Sequence, residues 1–305
     1  MPTDRVAGSR GRAVLAVLGA ATLFGTTGTS QALGPSGTTP LGVGAVRIAI
    51  GGAGLFVVLP WIGGSRRDAA RLWRTRWGIL AGLTTALYQV CFFGGVLRAG
   101  VAVGTLVTIG SGPVFTGLLS WLFLRERPKA SWVLATSVCV LGLVLLIGSG
   151  SSGGDADVLG YLLALASGLG YAFYTVASKR LMNDGHRSDE VMAAAFGLGG
   201  LVLLPVLLTQ PLAWLGSASG LALALWLGLG TTTLAYVLFG RGLAHLPAGP
   251  VTTLVLAEPV VATLLGVLVL GEVIPVLGWV GVGLVLAGLA RQGAASRLGE
   301  GQSLP

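Results

Sequence analysis

Apolar runs of about 20 residues recur along the chain, parted by short stretches rich in arginine, glycine or serine. A helix of that length crosses the roughly 30 Å hydrocarbon layer of a bilayer. The pattern predicts ten spans, at 13–33, 41–62, 77–97, 101–124, 131–149, 158–178, 190–209, 219–240, 248–270 and 274–291. Only residues 271–273 separate the last two. The fold class that follows is an all-α integral membrane protein.

The runs are related to one another. The same interval from proline to glutamate occurs twice, as PVFTGLLSWLFLRE from Pro113 to Glu126 and as PVVATLLGVLVLGE from Pro259 to Glu272. Upstream, GLTTALY at 82–88 matches GTTTLAY at 230–236. Self-similarity of this kind marks copies of one unit. Each copy holds five spans, 13–149 and 158–291, joined by a Gly/Ser-rich connector at 148–158 and followed by a tail at 292–305. Five is odd, so the second copy enters the membrane from the opposite face. This is the inverted repeat of many secondary transporters.

Composition agrees with the membrane, and charge supplies an orientation. The chain is 53% apolar and 10% charged, where a soluble domain carries about 25% charged residues. Its net charge of +8 does not point to nucleic acid, because the basic residues sit between apolar runs rather than on one face. With the N-terminus inside, Arg5, Arg10, Arg12, the arginines between 66 and 76, Arg125, Arg127, Lys129, Lys179, Arg180, Arg187, Arg241, Arg291 and Arg297 all fall inside. The outer loops keep only Arg98, and the outer connector carries Asp155 and Asp157. Because positive residues are retained on the cytoplasmic side, both termini are expected there, in a multi-pass protein of the inner (plasma) membrane. The basic start imitates a signal peptide, but nine further runs make it a retained first helix. Cys91 and Cys139 lie in apolar runs and read as inert buried thiols. No metal site or cofactor is expected from them or from the two histidines.

These features resemble the drug/metabolite transporter superfamily, in its ten-helix form with two EamA domains. The paired Pro-to-Glu segments carry the resemblance, with Phe24-Gly25 in the first span, Arg47 within AVRIAIGGAG, and LAEPVVATLLGVLVLGE at 256–272. The tryptophan usual in the family before the first-span glycine is Phe24 here. The resemblance implies export or exchange of small metabolites, often amino acids or drug-like compounds.

Polar side chains inside spans are the informative ones, since ionisable groups are rare there and serve function by default. Glu258 sits near mid-depth, immediately before Pro259, and can exchange a proton or meet a cationic group. Its alternative is a structural acid held by a neighbouring helix. Arg47 can bind a carboxylate or pair with Glu258, or serve packing. Gly110-Ser111-Gly112-Pro113 and Ala257-Glu258-Pro259 occupy matching places in the two copies, so Pro113 and Pro259 are candidate helix breaks bordering a transport cavity. Ser111, Thr85, Tyr88 and Gln89, Thr233 and Tyr236 are candidate lining residues, and Tyr171, Tyr174 and Gln31 weaker ones. For each of these, helix packing is the plainer reading. Glu126 and Glu272 stand where a helix dipole favours a carboxylate, which makes them caps.

No GxxxxGK[ST] occurs, so no nucleotide motor is encoded. A membrane enzyme would need a catalytic cluster. The one acidic group, Asp184, Asp189 and Glu190 with His186, fits no such pattern and reads as a solvated loop. The function expected is a secondary transporter of a small-molecule solute in the lipid bilayer. A lipid-translocating subunit or non-transporting protein is the alternative, and a homodimer is left open.

Overall fold

The computed structural model describes residues 2–149 and 157–298. The connector residues 150–156, with Asp155, and tail residues 299–305 lie outside the described residues. Among the described residues, ten helices are long and apolar enough to cross a membrane: α1 (Ser9–Ala32), α2 (Pro40–Ile62), α3 (Arg76–Ala99), α4 (Val101–Leu124), α5 (Ala130–Gly148), α6 (Val158–Asn183), α7 (Ser188–Leu208), α8 (Ala218–His245), α9 (Ala248–Leu270) and α10 (Val276–Leu298). The protein is a multi-pass membrane protein. One expectation needs correction, because α10 runs past 291 to Leu298. Gln292 donates to Ser296 Oγ at 3.0 Å and both are buried, so 292–298 is packed helix rather than tail.

Local chemistry starts four of the helices. Thr39 accepts from the Gly42 N–H with Pro40 in the first turn, Thr75 from Gly78, Asp157 from Gly160 and Ser217 from Gly220. Each satisfies one of the orphan donors of a helix N-terminus. Two helices differ. α4 follows Gly100 and α9 follows Pro247, neither of which provides a capping side chain. These two helices also end alike, with Arg125 at φ 60° and Gly271 at φ 70°. The following N–H of Glu126 returns to the Ser120 carbonyl at 3.2 Å, and that of Glu272 to the Gly266 carbonyl at 3.1 Å. The duplicated segments therefore keep the same turn.

The halves exchange their first helices. α1 packs on α8 and α9 of the second half, while α6 packs on α3 and α4 of the first. α2 pairs with α7 and α5 with α10, each helix meeting its own counterpart. Where α5 crosses α10, a Cβ on Gly142 would stand 2.7 Å from the Gly281 carbonyl, so small residues set the closeness of that crossing. Leu15, Leu122, Leu162, Leu208 and Leu268 stay exposed on the outside of the bundle, where lipid solvates them. The interior instead holds threonine and serine hydroxyls bonded to helix carbonyls, such as Thr84 to Leu80 and Thr175 to Tyr171.

Two helices are irregular, both in the second half. α9 is helical over Ala248–Leu254 and again over Ala257–Leu270, with a turn at Val255 and Leu256. α8 widens into a π-helical stretch over Trp226–Leu234. Thr232 and Thr233 there donate to carbonyls five residues back, Leu227 and Gly228, at 2.9 and 3.2 Å. In the first half α4 continues unbroken through Pro113. The expected break at Pro113 is therefore absent.

Candidate functional site

At mid-depth, where the exchanged helices meet, lies a small cavity of about 30 Å³, room for a water or two. Tyr88 of α3, Thr108, Ile109 and Pro113 of α4, Tyr171 of α6, and Thr252, Val255, Leu256 and Glu258 of α9 line it. Pro259 lies in the first turn of the second α9 piece, where a missing N–H costs little. Glu258 donates its backbone N–H to Val255 at 2.8 Å. Among the described residues its carboxylate has no hydrogen bond and no ion pair within 4.0 Å.

Arg47 of α2 is half-buried, and its Nε has no hydrogen-bond partner. Among the described residues no ion pair within 4.0 Å joins it to Glu258, so the predicted pairing is not a direct contact in this structure. Behind the wall stands an aromatic layer. The hydroxyls of Tyr174 and Tyr236 lie 3.3 Å apart, and the Tyr236 ring sits 3.7 Å from Phe196 between centroids. Tyr171 faces Tyr88 at 6.0 Å, while Phe24 faces Tyr236 at 5.1 Å. The two pairs are the same contact in the two exchanged arrangements. The Tyr171 hydroxyl is buried and unpartnered.

The remaining candidates fall elsewhere. Thr85 is buried and donates to Ala81 at 2.8 Å, against Gly199 of α7. Thr233 ties α8 to the Gly51 carbonyl of α2 at 3.1 Å. Ser111 donates to Thr108 at 3.3 Å and packs on Gly168 of α6. Gln31 donates to Thr27 in its own helix at 3.4 Å. In each case a short polar side chain reaches a nearby carbonyl more readily than a cavity. Gln89 faces Gly44 of α2, with both amide atoms buried and unpartnered. An unmade hydrogen bond of this kind costs about 1–3 kcal/mol, and Gly44 is one turn from Arg47. Sequence reasoning missed Thr108, Ile109, Thr252, Val255 and Leu256. They lie within about two turns before the paired prolines, a signal the repeat offered.

At the arginine-bearing end, Asp189 and Glu190 are buried rather than solvated. Glu190 accepts from the Ser65 N–H at 2.8 Å, and Asp189 faces Arg187 and Arg241 at 3.6 and 3.7 Å. They open α7, whose first turn is folded against the α2–α3 connection, which loop-like composition did not reveal.

The EamA-like transporter family model matches the chain twice, over 11–148 and 158–291. The chain belongs to the EamA-like transporter family. A Bacillus subtilis protein described as the uncharacterized transporter YwfM is 41% identical over 93% of this chain and 94% of its own length. A probable amino-acid metabolite efflux pump of Salmonella typhimurium is 26% identical over 68% of this chain and 73% of that one. A crystal structure superposes with a TM-score of 0.78 at 23% identity, covering 94% of this chain and 98% of its own, and shares the fold. In this EamA-like transporter the Gly25 position of α1 packs against the α9 break itself. A Cβ there would stand 2.8 Å from the Glu258 carbonyl oxygen.

Proposed function

We propose that this membrane transporter is a secondary carrier working by alternating access, for a small solute bearing both an anionic and a cationic group, such as an amino acid. The observation that carries the proposal is the mid-depth cavity, with the unbonded Glu258 carboxylate on its wall and the half-buried Arg47 cation behind it. Leaving either group unsatisfied in an apolar surround is costly, and a zwitterionic solute would satisfy both. The unpartnered Tyr171 hydroxyl would donate a further hydrogen bond. Thr108 and Thr252, whose hydroxyls already donate to Ala164 and Gly249, would only accept, and the tyrosine rings would supply the apolar contact. The amino-acid efflux relative fits this reading. We further propose that both termini face the cytoplasm at the plasma membrane, on the strength of the arginine distribution, and that Glu258 exchanges the coupling proton.

The test is counterflow of labelled amino acids and cationic drugs in proteoliposomes across pH. Wild type should exchange amino acids with a pH-dependent rate. Glu258→Gln should abolish the pH dependence, and Arg47→Gln should cut amino-acid flux at least tenfold while sparing cationic solutes. Flux in Glu258→Gln that keeps the wild-type pH profile would refute the proton role. Lipid scrambling without solute flux would replace the carrier with the lipid-translocating alternative.

A further inference from the structure

The two half-molecules carry the same glutamate at the same left-handed helix end, and the structure uses only one of them. At the arginine-bearing end, Glu126 reaches across the halves. Its Oε2 accepts from the backbone N–H of Ala248 at 3.1 Å, in the first turn of α9. Beside it, Lys179 of α6 donates to the Leu243 and Ala244 carbonyls at the end of α8, at 2.8 and 3.4 Å. One acid and one base thus hold both sides of the α8–α9 turn. α5 adds Trp132 Nε1 and Thr136 Oγ1, at 3.0 and 2.8 Å from Thr253 Oγ1. The Ala248–Leu254 half of α9 lies against α4, α5 and α6 as well as against α1 and α10.

At the opposite end the matching contact is not made among the described residues. The Ala257–Leu270 half of α9 packs chiefly on α1, with α10 beside it. Glu272, the counterpart of Glu126, is exposed. The offset that relates Pro113 to Pro259 and Glu126 to Glu272 also relates Ala248 to Ala102, in the first turn of α4. That turn begins after Gly100 and has no side-chain cap. Both helices therefore start with orphan donors and no local acceptor, and each has a glutamate in the other half placed to supply one.

We infer that Glu126 and Glu272 are alternating latches: Glu126 closes the arginine-bearing end in the state seen here, and in the opposite state Glu272 closes the far end by capping α4 at Ala102. The inference rests on the alternating-access reading. It makes both glutamates positioning residues, remote from the cavity. The contact observed in one half, carried through the inverted symmetry, generates the partner of the other. The lysine has no such counterpart, since no basic residue stands in the last turn of α1. The Glu126 latch should accordingly be the stronger of the two.

Spin labels at positions 97 and 268, both exposed at the far end, report its opening in nanodiscs without any solute. Wild type should show mainly the long distance. Glu126→Ala should raise the short-distance population several-fold, with Glu126→Gln between the two. Glu272→Ala should leave the long distance or deepen it. As a second readout, a Glu272→Cys, Ala102→Cys pair should crosslink several-fold faster when Glu126→Ala is added. Unchanged distances together with unchanged crosslinking in a folded Glu126 variant, or both glutamate variants shifting the same way, would overturn the latch. Intact solute flux with static distances would sink the latch alone. A single distance in every variant with no flux of any solute would sink the carrier reading beneath it.

Discussion

Arg125 holds a left-handed backbone at φ 60°, alone in this among the described non-glycine residues. Its counterpart, Gly271, adopts the same conformation without a Cβ in the way. For an L-residue the conformation costs about 1–2 kcal/mol, so Arg125→Gly should stabilise the protein by about 1 kcal/mol. Thermal unfolding in detergent should register this as a rise of about 2 °C. At the same scale, Arg47 and Glu258 were readable from sequence because charge inside a span is rare. Thr85, Ser111 and Thr233 were ambiguous for the converse reason, with helix packing the plainer reading, and each bonds a helix carbonyl. A hydroxyl in a helix can be consumed by a carbonyl three to five residues back, and nothing in the residue's identity tells the two uses apart.

At the scale of the helix, close approach matters more than side-chain chemistry. α1 runs directly against the α9 break, and a Cβ at Gly25 would stand 2.7 Å from Val261 Cβ as well as 2.8 Å from the Glu258 carbonyl. Gly25→Val should leave the protein inserted and monodisperse yet cut counterflow at least tenfold, because α1 must move off the cavity wall. The start of α6 gives a pH prediction. The Gly160 N–H and the Arg98 guanidinium, at 2.6 and 2.8 Å, hold the Asp157 carboxyl below the usual carboxylate range. A carboxyl depressed on folding contributes stability that is complete above its unfolded value near 3.9 and fades as pH falls towards the lowered one. Thermal stability should therefore decline over that acidic interval in wild type and decline less in Asp157→Asn. The helices themselves were legible, since twenty apolar residues leave few alternatives. The continuity of α4 through Pro113 was not, nor was the widened turn in α8. Both depend on which neighbour receives a freed carbonyl, a property of packing rather than of the segment.

Across the whole molecule, the repeat predicted from Pro113, Glu126, Pro259 and Glu272 has a physical form the sequence did not display. The first helices are exchanged, so that α1 completes the second half and α6 the first. An odd number of spans dictates opposite insertion, but only tertiary contact decides which helices a first helix joins. The duplicated glutamates show the same limit. Their shared position is written in the chain, whereas their partners, Ala248 and by symmetry Ala102, are brought near only by folding. Lys179, present in one half alone, makes the two ends unlike. A carrier with unlike closures divides its time unevenly between the compartments, and solute arriving from the disfavoured side meets a site facing it only part of the time. Apparent affinity scales with that fraction. With no gradient the protein moves nothing in net, yet half-saturation from the two faces should come at different concentrations, and a single lysine would set the ratio.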